Sequence, residues 1–261
     1  MPQFGFGTWR VADGEEAKNS VQSALSTGYR LIDTAALYGN EVGVGQALLS
    51  SGVPRNEVFV TTKLWNDSHQ YDKALQAFDD SLERLGLDYI DLYLIHWPVP
   101  SQDLYIEAWR ALERLYEEKR VRAIGISNFQ PTHVEKLLAS VNTPPAVNQI
   151  ELHPRLQQLE TRRTCQQHDI HIESWSPLMR GGELLNEPSL VAIAQKYNKT
   201  VAQVVLRWHI DSGLIVIPKS VHVDRIRENY DIWDFSLDQD DMERIAQLDS
   251  DRRTGPDPTS M

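Results

Sequence analysis

The sequence predicts an α/β protein, a (β/α)8 or TIM barrel in which residues 1–261 form one domain. Three observations predict it. Strand-like and helix-like stretches alternate along the chain, as in the βαβ units of a parallel sheet. The strand candidates are short and apolar on both faces, as strands covered on both sides should be. Nearly every one ends in a side chain with chemical potential, which a ring of strand ends converging on one mouth explains. A length of 261 residues exceeds the usual domain but is ordinary for an α/β barrel. An open doubly wound sheet is the structural alternative, and it would carry its ligand at a single switch point.

The first strand is expected at residues 4–8, ending at Thr8. Ala17, Val21, Ala24 and Leu25 then share a helical face. The second strand, 29–33, ends at Asp33, and the third, 58–63, at Lys63. Ala74, Phe78, Leu82 and Leu85 form the next apolar face and lead to strand 90–96, which ends at His96. Leu104, Ala108, Leu112 and Leu115 precede strand 123–128, which ends in Ser127-Asn128. Strand 147–150 carries Gln149, and strand 171–176 ends in Trp175-Ser176. Asn198-Lys199-Thr200 splits the seventh connection into two helical stretches before the last strand, 215–219, which ends at Lys219. A further helix is expected near 238–248, followed by a polar tail, 249–261, with two prolines.

The bulk properties exclude some partners. A net charge of −11, spread along the chain, weighs against nucleic acid and anionic membrane. No apolar run approaches the ~20 residues that a bilayer needs, and no signal peptide is visible, since Met1 leads straight into Phe4-Gly5-Phe6-Gly7. Cys165 is the only cysteine, so an intramolecular disulfide is impossible and a cytoplasmic location is the expectation. No pKa-lowering motif surrounds it, so it reads as a small helical side chain. No metal site is expected.

Asp33, Tyr38, Lys63 and His96 together carry chemistry. A free tyrosine has a pKa of about 10, too high for a proton shuttle at neutral pH. Lys63 could lower it, Asp33 could hold Lys63 and keep it protonated, and His96 could hydrogen-bond a substrate carbonyl oxygen. Such a set suits protonation of an oxygen that gains negative charge, as in carbonyl reduction by hydride transfer.

The stretch Asp33-Thr34-Ala35-Ala36-Leu37-Tyr38-Gly39-Asn40-Glu41 resembles a signature of the aldo-keto reductases. Thr61-Thr62-Lys63-Leu64-Trp65, Leu94-Ile95-His96-Trp97-Pro98, Gly125-Ile126-Ser127-Asn128-Phe129 and Ile217-Pro218-Lys219-Ser220 resemble its other landmarks, in order and over nearly the whole chain. Residues 62–67 and 145–154, with Glu173-Ser174-Trp175, look most like the bacterial 2,5-diketo-D-gluconate reductases. The resemblance implies that Tyr38 is the general acid, that Lys63 and Asp33 tune it, and that His96 orients the carbonyl. Members that reduce steroid carbon–carbon double bonds carry glutamate at the His96 position, so histidine favours carbonyl reduction.

No Gly-x-Gly-x-x-Gly opens a helix after a strand; Gly43-Val44-Gly45 lacks the third glycine and the preceding strand. The resemblance implies NADPH/NADP+ bound without such a site, extended across the mouth. Ser127, Asn128 and Gln149 would meet the carboxamide, and Trp175 would stack on the nicotinamide ahead of Ser176, Pro177 and Leu178. Gly7, Thr8, Trp9 and Asp33 would border it. Ile217, Pro218, Lys219, Ser220, Val221 and Arg225 would hold the phosphate end, where two cations near a helix N-terminus suit a 2′-phosphate. Glu228 and Asn229 would hold the adenine.

Seven tryptophans are many for this length, and Trp9, Trp65, Trp97 and Trp175 fall at proposed strand ends. Trp9, Trp65 and Trp97, with loop residues adjacent to Phe4, would line the substrate side around Tyr38, His96 and Asn128. Short connections after His96 and Trp175, and a short tail, suggest an open site for small polar carbonyls such as methylglyoxal or 2,5-diketo-D-gluconate. The family's usual N-terminal hairpin, which plugs the barrel's bottom, is expected to be missing, lowering stability rather than activity. A monomer is the family's commonest form. A glycosidase using Asp33 and Glu151 would leave Lys63 and Tyr38 without a task; a non-catalytic, cofactor-binding module would have no need of an intact tetrad.

Overall fold

Stretches rich in Ile, Val and Leu become strands here because both of their faces are covered, one by the barrel interior and one by helices. The computed structural model describes residues 1–261. Its strands are β1 Phe6–Gly7, β2 Leu31–Asp33, β3 Phe59–Leu64, β4 Ile90–Ile95, β5 Val121–Ser127, β6 Val147–Glu151, β7 His171–Trp175 and β8 Ile215–Val216. They pair in chain order and all pairs are parallel. Phe4 forms a parallel bridge to Val216, Gly5 N donates to Val216 O at 2.9 Å and Gly7 N to Pro218 O at 3.0 Å. Those bonds return β8 to β1 and close the barrel. The seam strands are shorter than the expected 4–8 and 215–219, in part because Pro218 has no N–H to donate.

Strand alternation decides what fills the centre. Leu31, Ile215 and Ile217 cluster with Phe59 and Trp175, while Leu92, Leu94 and Val147 cluster with Phe59 and Ala123. Gly125 makes room for this filling, since a Cβ there would stand 2.7 Å from Leu94 Cδ2. The main core lies outside the strands, between them and the helices.

The helices are α1 Glu15–Thr27, α2 Glu41–Ser50, α3 Tyr71–Leu85, α4 Tyr105–Glu117, α5 Pro131–Leu138, α6 Leu159–Gln167, α7 Pro188–Tyr197, α8 Val201–Asp211, α9 Val223–Tyr230 and α10 Gln239–Ala246. Helix α1 buries Ala17, Val21, Ala24 and Leu25. The other expected faces hold with two corrections: Leu82 is only partly buried, and Leu104 precedes α4 rather than lying within it. Asn198, left-handed at φ 52°, ends α7, and Thr200 opens α8 by a reciprocal side-chain cap with Gln203. Asp238 caps α10, the helix expected near 238–248.

Gly43 and Gly45 have a packing task on α2. A Cβ at Gly43 would meet Ala17 Cβ at 2.8 Å, and one at Gly45 would meet Leu85 O at 2.2 Å, so α2 lies closely between α1 and α3. Gly45→Ala should therefore cost about 1–3 kcal/mol despite alanine's better helix propensity. Urea unfolding measures this, and an unchanged midpoint would show that the contact yields without cost.

Candidate active site

Asp33 ends β2 and Lys63 is the next-to-last residue of β3, both on the inward side of the pleat, so both side chains enter the barrel at its C-terminal mouth. Lys63 Nζ donates to Asp33 Oδ1 at 2.6 Å and to Thr34 O at 2.8 Å, and lies 3.5 Å from Tyr38 Oη. Tyr38 sits on a single helical turn, Ala36–Tyr38. Buried Asn40 fixes that turn: its Nδ2 donates to Thr8 O at 2.9 Å and Val11 O at 3.0 Å, and its Oδ1 accepts from Thr34 Oγ1 at 2.8 Å. The buried carboxylate of Glu41 then ties the start of α2 to Thr62 Oγ1 at 2.5 Å and Arg84 Nε at 2.7 Å. His96 follows β4, its backbone N–H donating to Leu64 O at 3.1 Å, and its ring lies 5.7 Å from that of Tyr38. The four residues read from the sequence are thus brought together.

Their electrostatics differ from the expectation in one respect. Burial raises the Tyr38 phenol to about 12, and the opposing pull of Lys63 does not overcome it. Tyr38 is therefore held as the neutral phenol, the form an acid needs. Burial would deprotonate Lys63, but the adjoining Asp33 and Tyr38 hold its pKa above the ordinary value. Burial, with Lys63 adding to it, holds His96 well below its usual range, so the imidazole is neutral. Its Nδ1 is buried without a hydrogen-bond partner.

Around this centre the aromatic residues form a wall. Trp9 lies 4.9 Å from the Tyr38 ring, Trp65 5.2 Å from His96, and Trp97 6.5 Å from Trp175. Phe4 does not belong to it. It lies at the opposite end of the first strand, 5.3 Å from Tyr29 and 5.8 Å from Trp233, which corrects the expectation for its neighbouring loop.

Asn128, in left-handed backbone at φ 65°, is a hub. Its Nδ2 donates to His96 O at 3.0 Å and Ser127 Oγ at 3.1 Å, and its Oδ1 accepts from Trp175 Nε1 at 2.8 Å. Ser127 Oγ donates to Gln149 O at 2.8 Å, and Thr8 Oγ1 to Asp33 O at 3.0 Å. These groups pre-set the mouth and fix the plane of half-buried Trp175. Ser176 follows it with φ 54°, Pro177 is buried, and half-buried Leu178 packs against the main core.

At the other end of the mouth, Ile217, Pro218 and Ser220 are buried, while Lys219 and Arg225 are exposed. Neither cation has an acidic partner, in a chain of net charge −11. Half-buried Val221 leads into α9, and Ser220 Oγ accepts from His222 N at 3.0 Å. Two free cations beside a helix N-terminus fit a phosphate. Asn229 is buried, and Glu228 Oε1 accepts from Thr200 Oγ1 at 2.8 Å, which orients the carboxylate expected at an adenine.

Two features escaped the sequence reading. The tail folds back over the rim: Thr254 N and Gly255 N donate to the Glu151 carboxylate at 2.7 and 3.0 Å, and Ser101 N reaches Met261 O at 3.4 Å. A Cβ at Gly255 would stand 2.5 Å from Trp175 Cη2. The mouth is therefore bordered by the tail, not merely left open by its shortness. The same bonds occupy Glu151, which removes the carboxylate pair that a glycosidase would need. The second feature is Glu173, buried beside Asp33, whose carboxyl is pushed up to about 8 by burial and then by the Asp33 charge. The sequence signal for Glu173 was its place two residues before Trp175, on the same face of the strand.

Residues 3–250 match the sequence profile of the Aldo/keto reductase family. The chain is 53% identical over 260 residues to a 9,11-endoperoxide prostaglandin H2 reductase of Trypanosoma cruzi, covering 99% of this chain and 91% of that one. It is 52% identical over 261 residues to a glyoxal reductase of Bacillus subtilis, covering 100% and 94%. It is 51% identical over 259 residues to the methylglyoxal reductase DkgA of Escherichia coli, covering 99% and 93%. Among solved structures, a mutant of Gox0644 in complex with NADPH superposes with a TM-score of 0.95 at 46% identity, covering 100% of this chain and 94% of that one.

Lys63→Met would leave Asp33 buried without its cation and should cost about 3–5 kcal/mol. Adding Asp33→Asn should recover part of that loss, giving a favourable coupling in a double-mutant cycle read by urea unfolding. Strictly additive losses would mean that the two charges do not depend on each other.

Proposed function

The chain belongs to the aldo/keto reductase family, and from that premise we propose that Asp33, Tyr38, Lys63 and His96 carry out its reaction on small dicarbonyl compounds. The protein is an NADPH-dependent oxidoreductase that reduces aldehydes and ketones to alcohols. When bound, NADPH would supply the hydride for the carbonyl carbon. His96, neutral, can donate a hydrogen bond to the carbonyl oxygen and orient it. Tyr38 gives its proton to that oxygen as charge develops there. Lys63 stabilises the phenolate that remains, and Asp33 keeps Lys63 charged and in place. The observation that carries this reading is the Lys63–Asp33 contact of 2.6 Å, with Nζ at 3.5 Å from Tyr38 Oη. A non-catalytic module has no use for that arrangement.

The cofactor reading extends outward from there. Gly7, Thr8 and Trp9 would border the nicotinamide, Ser127, Asn128, Gln149 and Trp175 would hold it, and Ser176, Pro177 and Leu178 would follow. Ile217, Pro218, Lys219, Ser220, Val221 and Arg225 take the phosphate end, with Asn229 nearby. Unpaired Lys219 and Arg225 support NADPH over NADH. Trp9, Trp65 and Trp97 line the substrate side.

Small polar carbonyls are the substrate class. The glyoxal and methylglyoxal reductases among the relatives support 1,2-dicarbonyls, and 2,5-diketo-D-gluconate is a second candidate from the sequence motifs. A monomer in a reducing compartment fits the lone, buried Cys165; no helix is long and apolar enough to cross a membrane.

The test is oxidation of NADPH, with NADH alongside, followed by absorbance against methylglyoxal, glyoxal, 2,5-diketo-D-gluconate, an aromatic aldehyde and prostaglandin H2. Methylglyoxal or glyoxal should turn over best, with NADPH preferred, and Tyr38→Phe should lower kcat by about 10²–10⁴-fold. Full turnover in Tyr38→Phe, or cofactor binding with no turnover of any carbonyl, would refute the assignment.

A further inference from the structure

The reaction as derived leaves one buried acid in the barrel without a task. Glu173 lies within β7, faces the interior, and is fully buried. Its Oε2 accepts from Gln149 Nε2 at 2.8 Å, and the same nitrogen donates to Asp33 Oδ2 at 2.7 Å. The amide of Gln149 thus spends one N–H on each carboxyl group, and its Oε1 is turned away from both. Asp33 in turn uses its other oxygen on Lys63. Glu173, Gln149, Asp33, Lys63 and Tyr38 therefore form one continuous chain of contacts contributed by β7, β6, β2, β3 and the turn after β2.

We propose that Glu173 is a positioning residue for this carbonyl reduction: acting through the Gln149 amide, it holds Asp33 against Lys63 and sets which face of that amide the cofactor's nicotinamide end meets. The proposal rests on the tetrad assigned above. Without an acceptor at Glu173, one N–H of Gln149 is buried and unsatisfied, and the amide gains from flipping its oxygen toward other donors. A flip would withdraw the N–H from Asp33 and replace the Oε1 acceptor by a donor. Neither change suits a carboxamide that has been placed for hydride transfer.

The surroundings also determine the charge of Glu173. The groups facing it are Asp33 and Lys63 from β2 and β3, Tyr38 from the turn, and Gln149 from β6, while its partner in register on β8 is the apolar Ile215. Lys63 is already paired with Asp33, and Glu173 Oε1 has no hydrogen-bond partner. A carboxyl with a single neutral donor and an anion close by stays protonated near neutral pH, consistent with its rise to about 8. In the neutral form it leaves Lys63 and Asp33 balanced. As pH rises through that value, Glu173 ionises, and its negative charge makes Tyr38 hold its proton more tightly. Reduction should then slow on the alkaline side.

The test uses Glu173→Leu, which fills the space without an acceptor, and Glu173→Gln, which keeps an acceptor but cannot ionise. Tyr38→Phe is run alongside. Readouts are kcat and KM across pH, NADPH affinity by fluorescence titration, and the infrared carbonyl band of a protonated carboxyl in the cofactor-free protein. Glu173→Leu should lower kcat and NADPH affinity by about tenfold each, the equivalent of one hydrogen bond. Glu173→Gln should rescue most of both losses, move the alkaline limb of kcat up by at least about one pH unit, and remove the infrared band. Wild-type kcat and NADPH affinity in Glu173→Leu would overturn the proposal. So would an unmoved alkaline limb in Glu173→Gln, which remains decisive if the leucine variant does not fold. Tyr38→Phe should lose turnover but keep NADPH binding and the infrared band. Normal turnover there would refute the tetrad itself, whatever Glu173 does.

Discussion

An ammonium and a carboxylate held 2.6 Å apart, both fully out of water, are expensive to bury, and the mouth of this barrel is organised around making that burial tolerable. Taking such ions from water costs several kcal/mol each unless close geometry and further hydrogen bonds offset it. Here Thr34 O accepts a second hydrogen bond from Lys63, and Gln149 donates to the second oxygen of Asp33. Gln149 pairs in register with Glu173, while Lys63 stands two residues beyond Thr61, the register partner of Asp33, on the same face of β3. The pair then imposes conditions on its neighbours. Next to a buried cation, a histidine stays neutral, and the tyrosine facing it is left with a phenolate that can be stabilised once the proton has gone.

The rest of the fold serves as a frame for that constraint. Strands of two to seven residues suffice because the seam bonds of Gly5 and Gly7 close the cylinder and the interior is filled by Leu, Ile and Val from alternate strands. Tyr38 comes from a loop rather than from a strand, and loops need anchoring. Asn40 and Glu41, both just after the turn, supply it, one bonding back to the loop after β1 and the other forward to β3 and α3. On the opposite rim the same problem is solved by Asn128 for Trp175 and by the folded-back tail.

Much of this was legible in the sequence, for a physical reason: period-two and period-3.6 patterns fix strand and helix faces, and residues at strand ends necessarily converge in a closed barrel. Asp33, Lys63, His96 and Gln149 could be placed on that ground alone, and Tyr38 through its motif. What could not be read depends on long-range partners. The contact of Glu228 with Thr200, at the start of α8, has no local signal, and the tail looked merely short because nothing local links Thr254 to Glu151 across the mouth. Loop residues adjacent to Phe4 were expected at the substrate side, yet a strand has two ends and Phe4 lies at the one away from the mouth, beside Tyr29 and Trp233. The direction of the Tyr38 shift was misjudged because residue identity shows the helpful charge of Lys63 but not the desolvation that outweighs it.

The most direct measurement follows the phenol itself. With tyrosine labelled at Cζ, the carbon resonance of Tyr38, assigned by its loss in Tyr38→Phe, can be titrated in the folded, cofactor-free protein. Titration near 12, above the ordinary value of about 10, would show that burial keeps Tyr38 a neutral acid beside a charged Lys63. Titration at or below the ordinary value would contradict this, since the lysine would then dominate and Tyr38 would tend toward the phenolate before any carbonyl had been reduced.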